Sequence, residues 1–286
     1  MNRLKLNRSV SLIVSLCLLA GIAFLSSGCK PNVAEVTVTM KAAEGEAVAE
    51  SEGSTSEQPA GEVGFGDITG EVLFDGDAPP AELLVKKGDN VKDSAVCAAE
   101  DVPNETLEVH PESKGIRNVF VYLEKAPAGA KIEEPTGEVI FDQKVCRFLP
   151  HCLLMRSKQK VLVMSGDSVA HNTHTKPTRN SEFNKTISAN ERTGVELVYS
   201  KAETKPIGVV CDYHSWMKAY HLPLDHSFAA ITDENGKFEI KGLPAGTHQL
   251  RVWHERGDFI ERGFKVTVKA DASESVTIKA PASKFQ

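Results

Sequence analysis

Residues 206–217 read PIGVVCDYHSWM, an apolar run that leads directly into three side chains able to donate electron pairs to a metal ion. Cys211 offers a thiolate, His214 an imidazole and Met217 a thioether. The apolar run predicts a buried strand that ends at the cysteine. A second imidazole, that of His171, lies forty residues upstream and is expected on a neighbouring strand. The Cys-x-x-His-x-x-Met loop can therefore wrap one metal ion from one side.

The four donors favour copper over other metals. Thiolate and thioether are soft ligands, and two imidazoles with a thiolate and a weak axial thioether form the blue-copper arrangement. Zinc more often recruits a further cysteine, histidine or carboxylate. The sequence therefore predicts one type 1 copper ion held by His171, Cys211, His214 and Met217. The alternative is a buried thiol beside a surface histidine and a core methionine, with no metal.

The segment from Gly137 to Leu224 resembles the cupredoxins, small blue copper proteins such as plastocyanin and amicyanin, and its ligand loop is most similar to that of amicyanin. Residues 171–174, HNTH, match the His-Asn-x-His stretch of that family. The resemblance implies a Greek-key β-barrel, His171 as the first ligand, and Asn172 as the residue that braces the ligand loops through hydrogen bonds. His174 is the rival ligand, expected on the same face of the strand.

The same resemblance implies how the site would work. Electrons would pass through an exposed edge of His214, and an apolar patch around Trp216 would dock a redox partner. Further histidine-rich copper sites, which a multicopper enzyme needs, are absent from the sequence. A carrier of single electrons is therefore expected, not an enzyme.

The flanking segments predict a second β-structure. Residues 232–238, TDENGKF, followed by LPAG at 243–246, resemble carboxypeptidase-regulatory-like domains, a prealbumin-like sandwich also found as an accessory module of rhamnogalacturonan lyases. The Asn-Gly step between alternating runs is a hairpin signal. Residues 66–134 and 226–286 are expected to form one sandwich, with the cupredoxin domain, 135–225, inserted between them. Two sandwiches in series are the alternative, and in either case the fold is all-β.

No acid–base couple or nucleophile triad accompanies this resemblance, so it gives no ground for lyase chemistry. Four acidic residues of the second half are expected at turns and strand edges: Asp225, Asp233, Glu234 and Glu255.

The amino terminus predicts export. Basic residues, an apolar run over 10–25 and the ending SSGC make residues 1–29 resemble a lipoprotein signal peptide, with Cys29 lipidated. A plain cleaved signal or an uncleaved anchor is the alternative. Residues 30–65 are rich in Ala, Glu, Ser, Thr and Gly without hydrophobic periodicity, which predicts a disordered acidic linker. We expect a protein anchored to a membrane through lipid, facing the periplasm or the cell surface.

The other cysteines and histidines leave alternatives open. An exported chain permits disulfides, and Cys97 with Cys146 would join the sandwich to the copper domain. Cys152 would pack as a small apolar residue. Alternatively, Cys146, His151 and Cys152 form a second metal site. Surface or interdomain positions are expected for His221, His226, His248 and His254.

Composition restricts the class of partner. The net charge is −6 over 286 residues and no basic stripe occurs, which argues against a nucleic-acid partner. The sequence predicts one-electron transfer by an extracytoplasmic type 1 copper protein with a redox partner protein. The alternative is a cell-surface module whose sandwich binds glycan or protein and whose copper is structural.

Overall fold

The structure, a computed structural model, describes residues 64–286. The predicted signal peptide, Cys29 and nearly all of the predicted linker lie outside this range. Over the described residues the chain is almost entirely β, which confirms the predicted fold class. Helical structure there is limited to α1 (Ser94–Cys97) and a 3-10 turn (Ala282–Phe285). None of the described helices is long and apolar enough to cross a membrane.

In chain order the strands are β1 (Phe65–Asp75), β2 (Leu83–Val85), β3 (Val102–Pro103), β4 (Phe120–Leu123), β5 (Val139–Lys144), β6 (Arg147–Leu149), β7 (Cys152–Arg156), β8 (Lys160–Val163), β9 (His171–Lys176), β10 (Asn184–Ile187), β11 (Val195–Val198), β12 (Ile207–Val210), β13 (Lys218–Leu224), β14 (Ala229–Ile231), β15 (Lys237–Pro244), β16 (Gly246–His254), β17 (Asp258–Val268) and β18 (Ser273–Pro281).

Strands from both ends of the described chain share two sheets. One sheet has the order β15-β1-β18 and the other β14-β4-β16-β17. Alternate side chains of these strands, among them Ile68, Val72, Leu250 and Val252, point inward and are fully buried in one apolar core. Strands that precede the middle segment therefore pair with strands that follow it. The kinship of these sheets to carboxypeptidase-regulatory-like domains and the predicted domain bounds stay predictions.

The middle segment folds into two further sheets, β10-β9-β12-β13-β7 and β11-β8-β5-β6. Their facing side chains, including Phe141, Val163, Leu197 and Val209, form a second apolar core. No hydrogen-bonded ladder joins an edge strand of one of these sheets to the other in the described structure, so the expected closed barrel is absent. The metal-site residues lie at one end of this open pair of sheets.

A short segment between β1 and β4 covers that end. We call residues 83–103 the cap; it contains the β2–β3 pair and α1. Val85, Ala98 and Val102 form a small apolar cluster, and Trp216 of the ligand loop packs against it. A third cluster, with Tyr122 and Trp253 on one side and Leu222 and Leu224 on the other, packs the terminal sheets against the middle ones.

Candidate metal centre

Three of the four predicted ligands converge in the structure. His171 begins β9, Cys211 directly follows β12, and the two strands are antiparallel neighbours. His214 lies in the loop from β12 to β13. One donor atom from each of these residues lies within 4.8 Å of the other two. His214 Nδ1 is 3.1 Å from His171 Nδ1 and 3.8 Å from Cys211 Sγ.

Met217 closes the ligand loop. Its backbone N–H donates to His214 O at 3.0 Å, and the Cys211 N–H donates to Met217 O at 3.2 Å. The Met217 side chain is buried and belongs to the same core cluster as Cys211. The loop therefore keeps the backbone of Met217 beside those of Cys211 and His214.

The donor set fits a soft metal ion. Ligand atoms bonded at about 2.0–2.3 Å to one ion lie roughly 3–4 Å apart, as in tetrahedral protein sites, and the observed donor separations are of that size. His171 and His214 have no exposed surface, and Cys211 is 3% exposed. A thiolate and two imidazoles gathered away from water are the ligands that copper prefers.

A carboxylate holds the far nitrogen of each imidazole. His171 Nε2 donates to Asp167 Oδ2 at 2.7 Å, and His214 Nε2 donates to Asp93 Oδ2 at 2.9 Å. Such partners fix the tautomer and orientation of a ligating ring, and here both leave Nδ1 facing Cys211. Neither aspartate was predicted from the sequence. Asp167 stands four residues before His171, a spacing that could have pointed to it, whereas Asp93 carries no local signal.

The expected exposed edge of His214 is wrong. The ring is completely buried because the cap places Asp93 on Nε2. Trp216, around which an apolar docking patch was predicted, is half-buried. The indole packs against the apolar cluster of the cap, and its N–H donates to Cys146 O at 3.1 Å. A cap that the local sequence pattern does not reveal covers His214 completely and Trp216 in part.

Asn172 connects three parts of the site. Its side-chain oxygen accepts the Asp212 N–H at 3.1 Å, and its amide group donates to Asn184 Oδ1 at 2.7 Å. Its backbone N–H donates to Cys211 Sγ at 3.3 Å. The residue thereby ties β9 and β10 to the ligand loop.

His174, the rival ligand, lies elsewhere. It lies three positions after His171 along β9, so the two side chains point to opposite faces of the strand, not the same face. His174 Nδ1 is 2.9 Å from Asp212 Oδ2, and Nε2 contacts Glu182. It does not belong to the group of converging donors.

The protonation of the site favours a thiolate. Burial opposes charge on His171, but its hydrogen bonds to Asp167 and Cys211 raise its pKa to about 9. Burial likewise opposes the thiolate of Cys211, but hydrogen bonds from His171 and from the Asn172 N–H lower its pKa. Burial and the nearby positive His171 lower the pKa of His214. The thiolate is the form of cysteine that binds metals, so this arrangement prepares Cys211 for a metal.

A disulfide joins Cys97 of α1 to Cys146 in the β5–β6 turn. It ties the cap to the middle sheets beside the site. Cys152 is a buried free thiol directed at Asn118 O, 3.5 Å away. The alternative second site, with Cys146, His151 and Cys152, does not assemble because the Cys146 sulfur is bonded to Cys97.

The four histidines that were expected at the surface or between domains are buried. Burial of the ring is nearly or fully complete in all of them: His221, His226, His248 and His254. His151 is also buried, and it contacts Glu255, which is itself largely covered. The expectation of surface positions for these histidines is wrong, because packing between sheets distant in sequence encloses them. Glu255 lies in the β16–β17 turn, as predicted.

No known protein family matches the chain, and no curated protein matches it. Solved structures do match part of the chain. Amicyanin from Paracoccus versutus is 15% identical with a TM-score of 0.27, and the match covers 37% of this chain and 98% of amicyanin. A purple cupredoxin from Nitrosopumilus maritimus is 16% identical with a TM-score of 0.25, and the match covers 31% of this chain and 99% of the cupredoxin.

A copper-containing nitrite reductase from Thermus scotoductus is 17% identical with a TM-score of 0.28; the match covers 35% of this chain and only 25% of the reductase. The structural neighbours are cupredoxins and a copper enzyme. With TM-scores this low, the assignment of the site rests on its donor atoms and not on the likeness.

Proposed function

We propose that the protein binds one type 1 copper ion and carries single electrons. The observation that supports this is the buried convergence of Cys211 Sγ with the Nδ1 atoms of His171 and His214. We further propose export and a lipid anchor at Cys29, which rest on the sequence alone. A redox partner protein follows from the proposed activity.

Copper bound here would supply one-electron chemistry between its cuprous and cupric states. The residues of the chain would keep the site unchanged during that cycle. Asp93 and Asp167 hold the two rings, and Asn172 holds the ligand loop. Complete burial of both imidazoles excludes water from the donors. Fixed donors in a dry site lower the reorganisation that each electron transfer requires.

The cap changes where a partner would bind. Asp93 makes a hydrogen bond to the buried His214 ring and retains 36% side-chain exposure, so it lies between the ligand and solvent. Beside it, Lys92 lies over the Tyr213 ring at 4.9 Å. A redox partner would therefore meet the cap and Tyr213, not an imidazole edge.

The test is the visible spectrum of the copper-loaded protein followed through a redox titration. We expect an intense blue or green band that bleaches reversibly. Cys211→Ser should lose the band and keep the fold, and Met217→Gln should keep the metal at a lower potential. Cys152→Ser, which alters a buried thiol outside the site, is the matched control. An unchanged band in the Cys211 variant would refute the assignment.

A second candidate is a structural copper site in a surface-binding module. The complete burial of His214 beneath the cap favours it, because no ligand edge is open to a partner. The same titration distinguishes the two functions. A copper adduct that is colourless or does not change with applied potential would favour the structural role.

A further inference from the structure

The Cys97–Cys146 disulfide lies directly against the proposed copper site. The two sulfur atoms and a donor nitrogen of His214 are all within 4.8 Å of one another. The Cys146 sulfur is also within 4.8 Å of a donor nitrogen of His171 and a carboxylate oxygen of Asp167. Neither cysteine has any exposed surface. Two sulfur atoms and two imidazoles thus share one dry region.

Contacts other than the disulfide hold both cysteines in place. In the β5–β6 turn, the N–H groups of Val145 and Cys146 donate to the Asp167 carboxylate at 2.7 and 2.9 Å. At the end of α1, the Cys97 N–H donates to Asp93 O at 2.9 Å. The cap adjoining Cys97 has an apolar cluster of its own. Both sulfur atoms would therefore stay close to each other after the bond between them is broken.

Cleavage of the disulfide changes the donor chemistry of this region. The bond accepts two electrons and two protons from a dithiol reductant, which itself becomes a disulfide; one S–S bond breaks and two S–H bonds form. A cuprous ion that binds both sulfurs releases their protons to solvent. Thiolates are soft donors that select Cu(I), and the two cysteine sulfurs would supply a pair of them.

We propose that reduction of Cys97–Cys146 opens a second metal site, which takes Cu(I) through these two cysteines. The choice of copper rests on the proposed function, but the site does not need Cys211. The protein would then hold one copper ion in its disulfide form and two in its dithiol form. The redox state of the cap disulfide would thereby set its copper capacity.

The experiment counts Cu(I) bound by the full-length metal-free protein without oxygen, in competition with a chromophoric Cu(I) chelator. The count is made before and after treatment with a phosphine reductant, which is then removed. We expect the reduced protein to bind one additional equivalent. In the double variant Cys97→Ser with Cys146→Ser the additional equivalent should disappear. The other cysteines are present in both proteins, so their contribution cancels.

Two single variants separate this proposal from the proposed function. Cys211→Ser should lose the coloured band and still gain one Cu(I) on reduction. Cys152→Ser should keep both the band and the gain. A wild-type protein that lacks the band but shows the gain would overturn the proposed function alone.

Three results would overturn the second site. The first is no gain in wild-type protein whose two thiols are shown by alkylation and mass spectrometry to be free. The second is an equal gain in the double variant. The third is a disulfide that the phosphine leaves intact in the folded chain. The first and third use the wild-type protein, so they stand even where the double variant does not fold.

Discussion

At the scale of single residues, Asp93 is expected to tune the reduction potential of the candidate site although it is not one of the ligands. Its carboxylate accepts a hydrogen bond from Nε2–H of His214, whose ring has no exposed surface. A negative charge at that position makes the imidazole a stronger electron donor and stabilises the more highly charged metal state. Asp93 therefore acts on the proposed redox equilibrium through His214.

We predict that Asp93→Asn raises the reduction potential of the copper-loaded protein by about 60 mV. A hydrogen bond to a charged group is worth about 1.5–3 kcal/mol, and about 1.4 kcal/mol corresponds to 59 mV for one electron. Protein-film voltammetry would measure the change. Asp101→Asn is the control, because this cap carboxylate accepts a hydrogen bond from the Lys87 N–H and does not contact a metal ligand. Equal potentials in the Asp93 variant and the wild type would disprove the role.

His221, unlike His214, is a buried imidazole with no carboxylate partner. Burial alone lowers its pKa from 6.5 to about 3. Its Nδ1 lies 3.0 Å from the Tyr199 hydroxyl, while Nε2 has no partner. The folded ring therefore stays neutral under conditions in which the unfolded ring binds a proton. Because the unfolded state binds more protons, His221 reduces stability as the pH falls from 6.5 towards 3.

We predict that His221→Gln reduces the acid sensitivity of the fold. Each pH unit between these pKa values changes the free energy of unfolding by about 1.4 kcal/mol for one proton. Between about pH 6.5 and 5, the free energy of unfolding should therefore fall by roughly 2 kcal/mol less in the variant than in the wild type. Urea unfolding at the two pH values measures this difference. The same pH dependence in both proteins would contradict it.

The residues that the sequence identified best are those with local patterns. The spacing of Cys211, His214 and Met217 and the His171-Asn172 step can be read within short windows. Asp93 could not be found in that way, because it lies in a cap separated from Cys211 by more than a hundred residues. Buried histidines such as His221 were misjudged for a related reason. Polarity favours the surface, and only the packing of distant strands shows otherwise.

At the scale of elements, the site depends on how β9, β10 and the ligand loop are fixed to one another. Asn172 makes the side-chain bonds between them, to Asp212 and Asn184. Backbone pairing of β12 with β9 sets the distance between Cys211 and His171. The strands therefore provide the spacing, and the asparagine fixes the loop.

We predict that Asn172→Ala lowers copper affinity about 10- to 100-fold, the usual effect of removing a group that orients metal ligands. It should also cost about 1–3 kcal/mol in stability, because the Asp212 N–H loses its partner. Chelator competition and thermal unfolding measure the two effects. Asn180→Ala is the control, since that side chain bonds Lys201 O and Glu203 away from the ligands. Asn180→Ala should lower stability without lowering copper affinity. A loss of copper affinity in this control equal to that of Asn172→Ala would reject the role of Asn172 in orienting the ligands.

The strands around the ligands could be predicted closely because short apolar runs mark them. The run before Cys211 became β12, and residues 219–224 became most of β13. Strand β6 has only three residues and no alternation to detect. The absence of a closed barrel also lay beyond the sequence, because closure depends on hydrogen bonds between edge strands that side-chain patterns do not specify.

At the scale of the whole molecule, His151 links three segments distant in sequence. It directly precedes β7, and its Nε2 forms a hydrogen bond with Glu255 of the β16–β17 turn. Its Nδ1 lies 3.8 Å from Glu105, which follows the cap and pairs with Arg147 at 3.0 Å. Burial opposes the charged ring, but the bond to Glu255 and the charges of Glu255 and Glu105 raise its pKa above 6.5. His151, whose charged form these carboxylates favour, therefore joins the middle sheets to the terminal ones.

We predict that His151→Gln destabilises the folded protein by about 3–5 kcal/mol, because the largely buried carboxylate of Glu255 loses its counter-charge. Since the folded-state pKa of His151 is raised, its contribution is complete below 6.5 and disappears as the pH rises through that raised value. Urea unfolding at about pH 6 and about pH 9 should thus separate wild type from variant more at the lower pH. A double-mutant cycle with Glu255→Gln isolates the pair. A coupling energy near zero, or a difference that grows with pH, would show that apolar packing joins the sheets without this ion pair.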